Sequence, residues 1–159
     1  MTKILIAIWF ALGRLPFAVY RLVSSSIAAF LAVFLFAVAR ERRMVALTNL
    51  SLCFPESSST QRIRWALAHM YFYLRTFLDR AWLWSGNESL VRDRVRIENP
   101  EALANIAQGQ ATIFLAPHFL GLDAAWSRLC LEVDMVTMYS NQKNPVLNEL
   151  ILQGRSNFG

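Results

Sequence analysis

The sequence predicts an α/β protein carried behind an N-terminal transmembrane helix. Three observations predict it: an uncharged apolar run over residues 22–39, an amphipathic helical pattern beyond it, and, from about residue 93, short apolar runs of strand length alternating with helical stretches. Of the 159 residues, 55% are hydrophobic and only 17% charged, against about 25% charged in an ordinary soluble domain. That balance excludes intrinsic disorder, because such a chain buries enough apolar surface to fold. The two cysteines, Cys53 and Cys130, cannot make a disulfide scaffold, and no Cys/His cluster suggests zinc.

The run at 22–39, LVSSSIAAFLAVFLFAVA, is long enough to cross a hydrocarbon core as a helix. Its three serines are tolerated because a hydroxyl bonds back to the preceding turn. Residues 4–12 are apolar but too short to span, so residues 1–16 read as an interfacial lead-in and 17–39 as the anchor. Two rivals stay open. Ala37-Val38-Ala39 resembles a signal-peptide cleavage site, though the apolar core is longer than such peptides carry. A very apolar buried helix is the other. Lys3, Arg14 and Arg21 precede the run, and Arg40, Arg42 and Arg43 follow it more densely, which places the C-terminal bulk in the cytoplasm.

Residues 40–96 carry ten arginines against five carboxylates, a net +5 equal to that of the whole chain. Beside an anchor, this excess suits either anionic lipid head groups or a solvated face. Ser58 and Gln61 have the spacing of a capping box, and Ile63, Leu67, Met70, Leu74 and Leu78 recur at helical spacing toward Trp84. Trp65, Tyr71, Tyr73, Trp82 and Trp84 suit a core helix or one lying among head groups.

From Arg94 to Ile97 the alternation predicts a strand, and Pro100–Gln108 a helix closed by Gly109. Residues 111–116 and 134–139 read as two further strands, with helices at 122–131 and 145–155. Pro117-His118-Phe119-Leu120-Gly121-Leu122-Asp123 then joins a strand to a helix, which is where open α/β sheets place their ligands. On one continuous helix, His118 and Asp123 would stand about 140° apart. They meet only if His118 lies in the turn and Asp123 in the first helical turn, and Gly121 permits that bend. The helix dipole favours the negative charge of Asp123. A carboxylate beside an imidazole orients it and balances its protonated form, the logic of a general base.

The His118-x4-Asp123 pattern resembles the HX4D/E glycerolipid-type acyltransferases. Arg42-Arg43, Thr48-Asn49-Leu50 and Cys53-Phe54-Pro55-Glu56 are similar to blocks of the bacterial lipid A biosynthesis lauroyl/myristoyl acyltransferases, as are Tyr139, Gln142-Lys143-Asn144-Pro145 and Gly154-Arg155-Ser156. The resemblance runs from about residue 17 to the end, and the second set of blocks is far more specific than the first pattern. It implies a glycerolipid-acyltransferase-like α/β domain over residues 40–159, incomplete at its C-terminus because members of the family are longer.

The resemblance also implies transfer of a fatty acyl chain from acyl carrier protein to a hydroxyl of a lipid A precursor, on the cytoplasmic side of the bacterial inner membrane. His118 and Asp123 would be catalytic. The oxyanion donor would be backbone N–H near Gly121 or the guanidinium of Arg155. Arg155 would otherwise hold a substrate phosphate, with Lys143 and Arg128 as lesser candidates. Acyl carrier protein, the lipid A precursor and membrane lipids are the implied partners. No metal, redox cofactor or nucleic acid is implied. A related acyltransferase with another lipid acceptor, and a non-catalytic truncated membrane protein, remain the alternatives.

Overall fold

Helices dominate the computed structural model, which describes residues 2–107 and 110–158. The chain divides into two units, residues 15–79 and residues 1–14 with 80–159.

The first unit is built on α2 (Phe17–Val38), α3 (Arg40–Cys53) and most of α4 (Ser59–Leu83). The 22 residues of α2 make a rod of about 33 Å. Its buried stripe is Tyr20, Ser24, Ala28 and Ala32, spaced every fourth residue and small after the first. Small residues at that spacing let a neighbouring helix approach closely. The neighbour is α4. The Tyr20 hydroxyl donates to Asp79 Oδ1 at 2.5 Å, and Arg75 Nη1 donates to Ser24 Oγ at 2.9 Å and Ser25 Oγ at 2.7 Å. Ser24 and Ser26 also bond back to the carbonyls of Tyr20 and Leu22, as expected for hydroxyls in an apolar helix.

Ala39 leaves helical geometry and separates α2 from α3. Arg43 reaches back from α3 to donate to the carbonyls of Phe36 and Ala37, the latter at 3.0 Å, so one arginine after the apolar run caps the negative end of α2. At the start of α4, Ser58 Oγ accepts from the Gln61 N–H at 3.2 Å, the cap that the sequence predicts.

The second unit contains α1 (Thr2–Gly13), the last turn of α4, α5 (Glu88–Arg94), a 3₁₀ turn at Pro100–Leu103, α6 (Ala104–Ala107), α7 (Leu122–Cys130) and α8 (Pro145–Arg155). Its core is Ala81, Trp82, Leu83, Trp84 and Val91. The two tryptophans thus pack inside rather than lie among head groups. α1 meets the end of α4 closely: a Cβ on Gly13 would lie 2.5 Å from the Ala81 carbonyl carbon. Trp9 stacks edge-on against Trp84 at 5.8 Å. On another side Gly154 of α8 admits the Trp84 ring, where a Cβ would come within 2.2 Å. Asn87 caps α5 by accepting from the Leu90 N–H, and Asn144 caps α8 by accepting from Val146 and Leu147 ahead of Pro145.

The expected glycerolipid-acyltransferase-like α/β domain is overturned, because the described residues contain no strand. After α5 the Val95 carbonyl accepts from Arg128 Nε at 2.9 Å, so a side chain takes the acceptor that a strand neighbour would have used. Residues 111–116 and 134–139 are not helical but are unpaired. Ile113 and Leu115 are 96% and 97% exposed, and Val136 and Met138 are 99% and 100% exposed. An apolar run of strand length becomes a strand only when a neighbouring backbone takes its N–H and C=O groups, and these two runs lack that neighbour. The helix expected over Pro100–Gln108 is split into the 3₁₀ turn and α6; Gln108 and Gly109 lie outside the described residues.

Candidate active site

Asp123 organises the second unit. It lies in the first turn of α7, behind Gly121, which adopts the left-handed conformation with φ 86° that a side chain disfavours. The bend expected at Gly121 is therefore present. Its carbonyl accepts from Ala124 and Ala125, starting the helix.

The carboxylate of Asp123 is 7% exposed, and both of its oxygens are taken by guanidinium groups. Oδ2 accepts from Arg80 Nε at 2.5 Å, Oδ1 accepts from Arg155 Nε at 3.0 Å, and Arg155 Nη2 lies 2.9 Å from Oδ1 in the same ion pair. One carboxylate thus ties the end of α4 and the end of α8 to the start of α7. Two guanidiniums on one carboxylate leave an excess of one positive charge, which suits an anionic substrate group. The Arg155 guanidinium also lies over the Tyr139 ring at 5.7 Å. Its Nη1 has no protein partner among the described residues.

The block from Tyr139 to Pro145 has a physical role. Asn148 Oδ1 accepts from the Tyr139 hydroxyl at 3.0 Å and from the Gln142 N–H at 2.8 Å. These bonds hold Tyr139 on α8, and so hold the ring that supports Arg155.

The other candidates stand apart. His118 is exposed in the turn before α7 and makes no hydrogen bond to Asp123. Lys143 is exposed before α8, with no ion pair among the described residues. Arg128 is held by the Val95 carbonyl and by Glu132, which Arg92 also engages. Those two arginines, the Arg128 hydrogen bond foremost, hold the Glu132 carboxyl below the usual carboxylate range against a smaller opposing push from burial. A cleft of about 390 Å³ beside Arg128, lined by Ile97, Leu103 and Val133, includes none of His118, Asp123 and Arg155. Among the described residues no three His, Cys, Asp or Glu side chains lie close enough to hold a metal ion.

Arg80 is the residue that sequence reasoning misses. In the sequence it is one of ten arginines assigned to lipid or solvent. The available signal is its place among Phe77, Leu78, Ala81 and Trp82, where a charge without a partner would be costly.

The sequence profile described as bacterial lipid A biosynthesis acyltransferase matches residues 1–159. The chain is 24% identical over 154 residues to the lipid A biosynthesis palmitoleoyltransferase of Escherichia coli (strain K12), covering 92% of this chain and 49% of that protein. It is also 31% identical over 124 residues to lipid A biosynthesis acyltransferase 2 of Shigella flexneri, covering 77% of this chain and 40% of that one. The chain belongs to the bacterial lipid A biosynthesis acyltransferase family. It spans about half the length of the curated relatives it matches. No solved structure matches it.

Proposed function

We propose that the protein transfers a fatty acyl chain from acyl carrier protein to a hydroxyl of a lipid A precursor, at the cytoplasmic side of the bacterial inner membrane. The observation that carries this reading is the family match over residues 1–159. The mean hydropathy of 2.1 in α2 and the exposure of Leu22, Phe30 and Val33 support attachment to the membrane.

In this reading His118 removes the proton from the acceptor hydroxyl. The oxygen attacks the thioester carbonyl, the C–S bond breaks, and the departing thiolate takes the proton from His118. Asp123 acts by fixing the Arg80 and Arg155 guanidiniums, which hold both of its oxygens. The Nη1 edge of Arg155, fixed by Asp123 and Tyr139, donates to the oxyanion or to a phosphate of the acceptor.

The test supplies membranes carrying the full-length protein with acyl-acyl carrier protein and a lipid A precursor, and weighs the lipid product. A mass gain of one acyl chain, with ester formation and free acyl carrier protein thiol in equal amounts, supports the proposal. An unmodified precursor with an intact donor would reject it.

A further inference from the structure

The first unit holds a cleft that the acyl transfer described above does not use. It measures about 530 Å³ and is lined by residues of α2, α3 and α4, all within 15–79. That size is ordinary for a small-ligand site, which takes about 300–1,000 Å³. The lining includes none of His118, Asp123 and Arg155. Arg42 and Asn49 of α3 and His69 and Tyr73 of α4 supply its polar side chains, and Leu35, Val45 and Met70 make an apolar side. We propose that this cleft binds one anionic phospholipid, with the phosphate on Arg42 and His69 and the start of an acyl chain on Leu35, Val45 and Met70, a reading that rests on the membrane attachment proposed above.

The polar side is open to a ligand. Arg42, Asn49, His69 and Tyr73 are exposed, and none of these side chains makes a hydrogen bond or ion pair among the described residues. Nearby arginines are engaged elsewhere. Arg43 donates to the carbonyls of Phe36 and Ala37, and Arg62 donates to Ser57 Oγ and the Pro55 carbonyl. Arg42 keeps its whole fork of donors, which matches two oxygens of a phosphate. An imidazole N–H, a phenol and an amide stand in the same lining, and no carboxylate does. A negative group entering the cleft thus meets a cation and neutral donors with no opposing anion.

The apolar side favours a lipid over free phosphate. Leu35 belongs to the apolar run of α2, whose mean hydropathy is 2.1. Ala39, also in the lining, parts that run from α3, which opens Arg40-Glu41-Arg42-Arg43. The cleft thus stands where an apolar helix gives way to a basic one, and a phospholipid changes from chain to phosphate over the same short distance. Basic side chains next to a membrane helix attract anionic head groups. A choline head would bring an ammonium beside Arg42 with no carboxylate in the lining to receive it, so a head group with an uncharged alcohol is preferred.

Native mass spectrometry of the detergent-solubilised full chain counts the lipids retained. Phosphatidylglycerol and phosphatidylcholine with matched acyl chains are offered at equal concentration. One phosphatidylglycerol per chain, held in preference to phosphatidylcholine, is expected. Arg42→Gln should weaken its binding by about tenfold or more, and His69→Ala should weaken it from the α4 side. Arg40→Gln removes the same charge outside the lining and should leave binding unchanged. Equal retention of the two lipids, or equal losses in Arg40→Gln and Arg42→Gln, would overturn the proposal in favour of a diffuse basic surface. Inorganic phosphate is the third probe. If it displaces phosphatidylglycerol at equal concentration, the site belongs to free phosphate and the lipid assignment fails; persistence of the bound lipid supports it. Flotation on phosphatidylcholine vesicles tests the attachment alone. A wild-type chain that fails to float defeats the membrane reading itself, and a floating chain that binds phosphatidylglycerol no better than Arg42→Gln defeats only the cleft.

Discussion

Replacing Asp123 by Asn probes the junction of α4, α7 and α8 with almost no change of shape. The variant keeps one carbonyl oxygen but turns the other position into an amide donor facing a guanidinium. Removing one partner from a fully buried ion pair costs about 3–5 kcal/mol. Here Asp123 is 7% exposed, but Arg80 and Arg155 are 27% and 36% exposed, so water recovers part of the loss. The expected destabilisation is about 2 kcal/mol, within the range for a hydrogen bond to a charged group. In a domain of this size that lowers Tm by about 4–8 °C. Circular dichroism at 222 nm during heating of the detergent-solubilised chain reads the shift. Arg80→Met should cost less in the Asp123→Asn background than in the wild type, because the pair is already broken. An unchanged Tm in Asp123→Asn, or full additivity with Arg80→Met, would refute the clamp.

Gly154→Ala should destabilise by about 1–3 kcal/mol through overpacking, since the added carbon meets the Trp84 ring; a melting curve equal to that of the wild type would refute the contact. Because Glu132 titrates below its ordinary value in the folded chain, its contribution is present at neutral pH and is lost as pH falls from about 4.3 through the lowered value. Glu132→Gln should therefore lose less stability than the wild type on acidification, and parallel stability profiles would contradict this. In the full-length enzyme Arg155→Lys should reduce transfer despite the retained charge. Steady-state kinetics with varied acceptor should show a raised KM if Arg155 binds the acceptor phosphate, or a lowered kcat if it binds the oxyanion; no change in either would refute both roles.

What the sequence made legible is local. Ser58 before α4 and Gly121 before α7 each act within four residues, and each is where the pattern put it. The errors involve distant partners. Residues 111–116 have the composition of a buried strand, but a ladder needs a second strand that no local pattern can supply. Arg80 finds Asp123 43 positions away, and Arg75 finds Ser24 51 positions away. Neither spacing has a signature in a single sequence. Arg128 finds the Val95 carbonyl 33 positions away. Asp123 stands in a first helical turn behind the bend at Gly121, yet it binds two arginines that the motif does not mention.

The central claim is that His118 is the base of an acyl transfer. It is tested most directly by comparing transfer rates of the full-length wild type and His118→Ala in membranes, at equal protein and with saturating acyl-acyl carrier protein and lipid A precursor. Loss of a general base should reduce the rate by a factor of about 10²–10⁴, while Tm and vesicle flotation stay unchanged because His118 is exposed and bonds to nothing that holds the fold. A His118→Ala protein that transfers acyl chains at the wild-type rate would contradict the account.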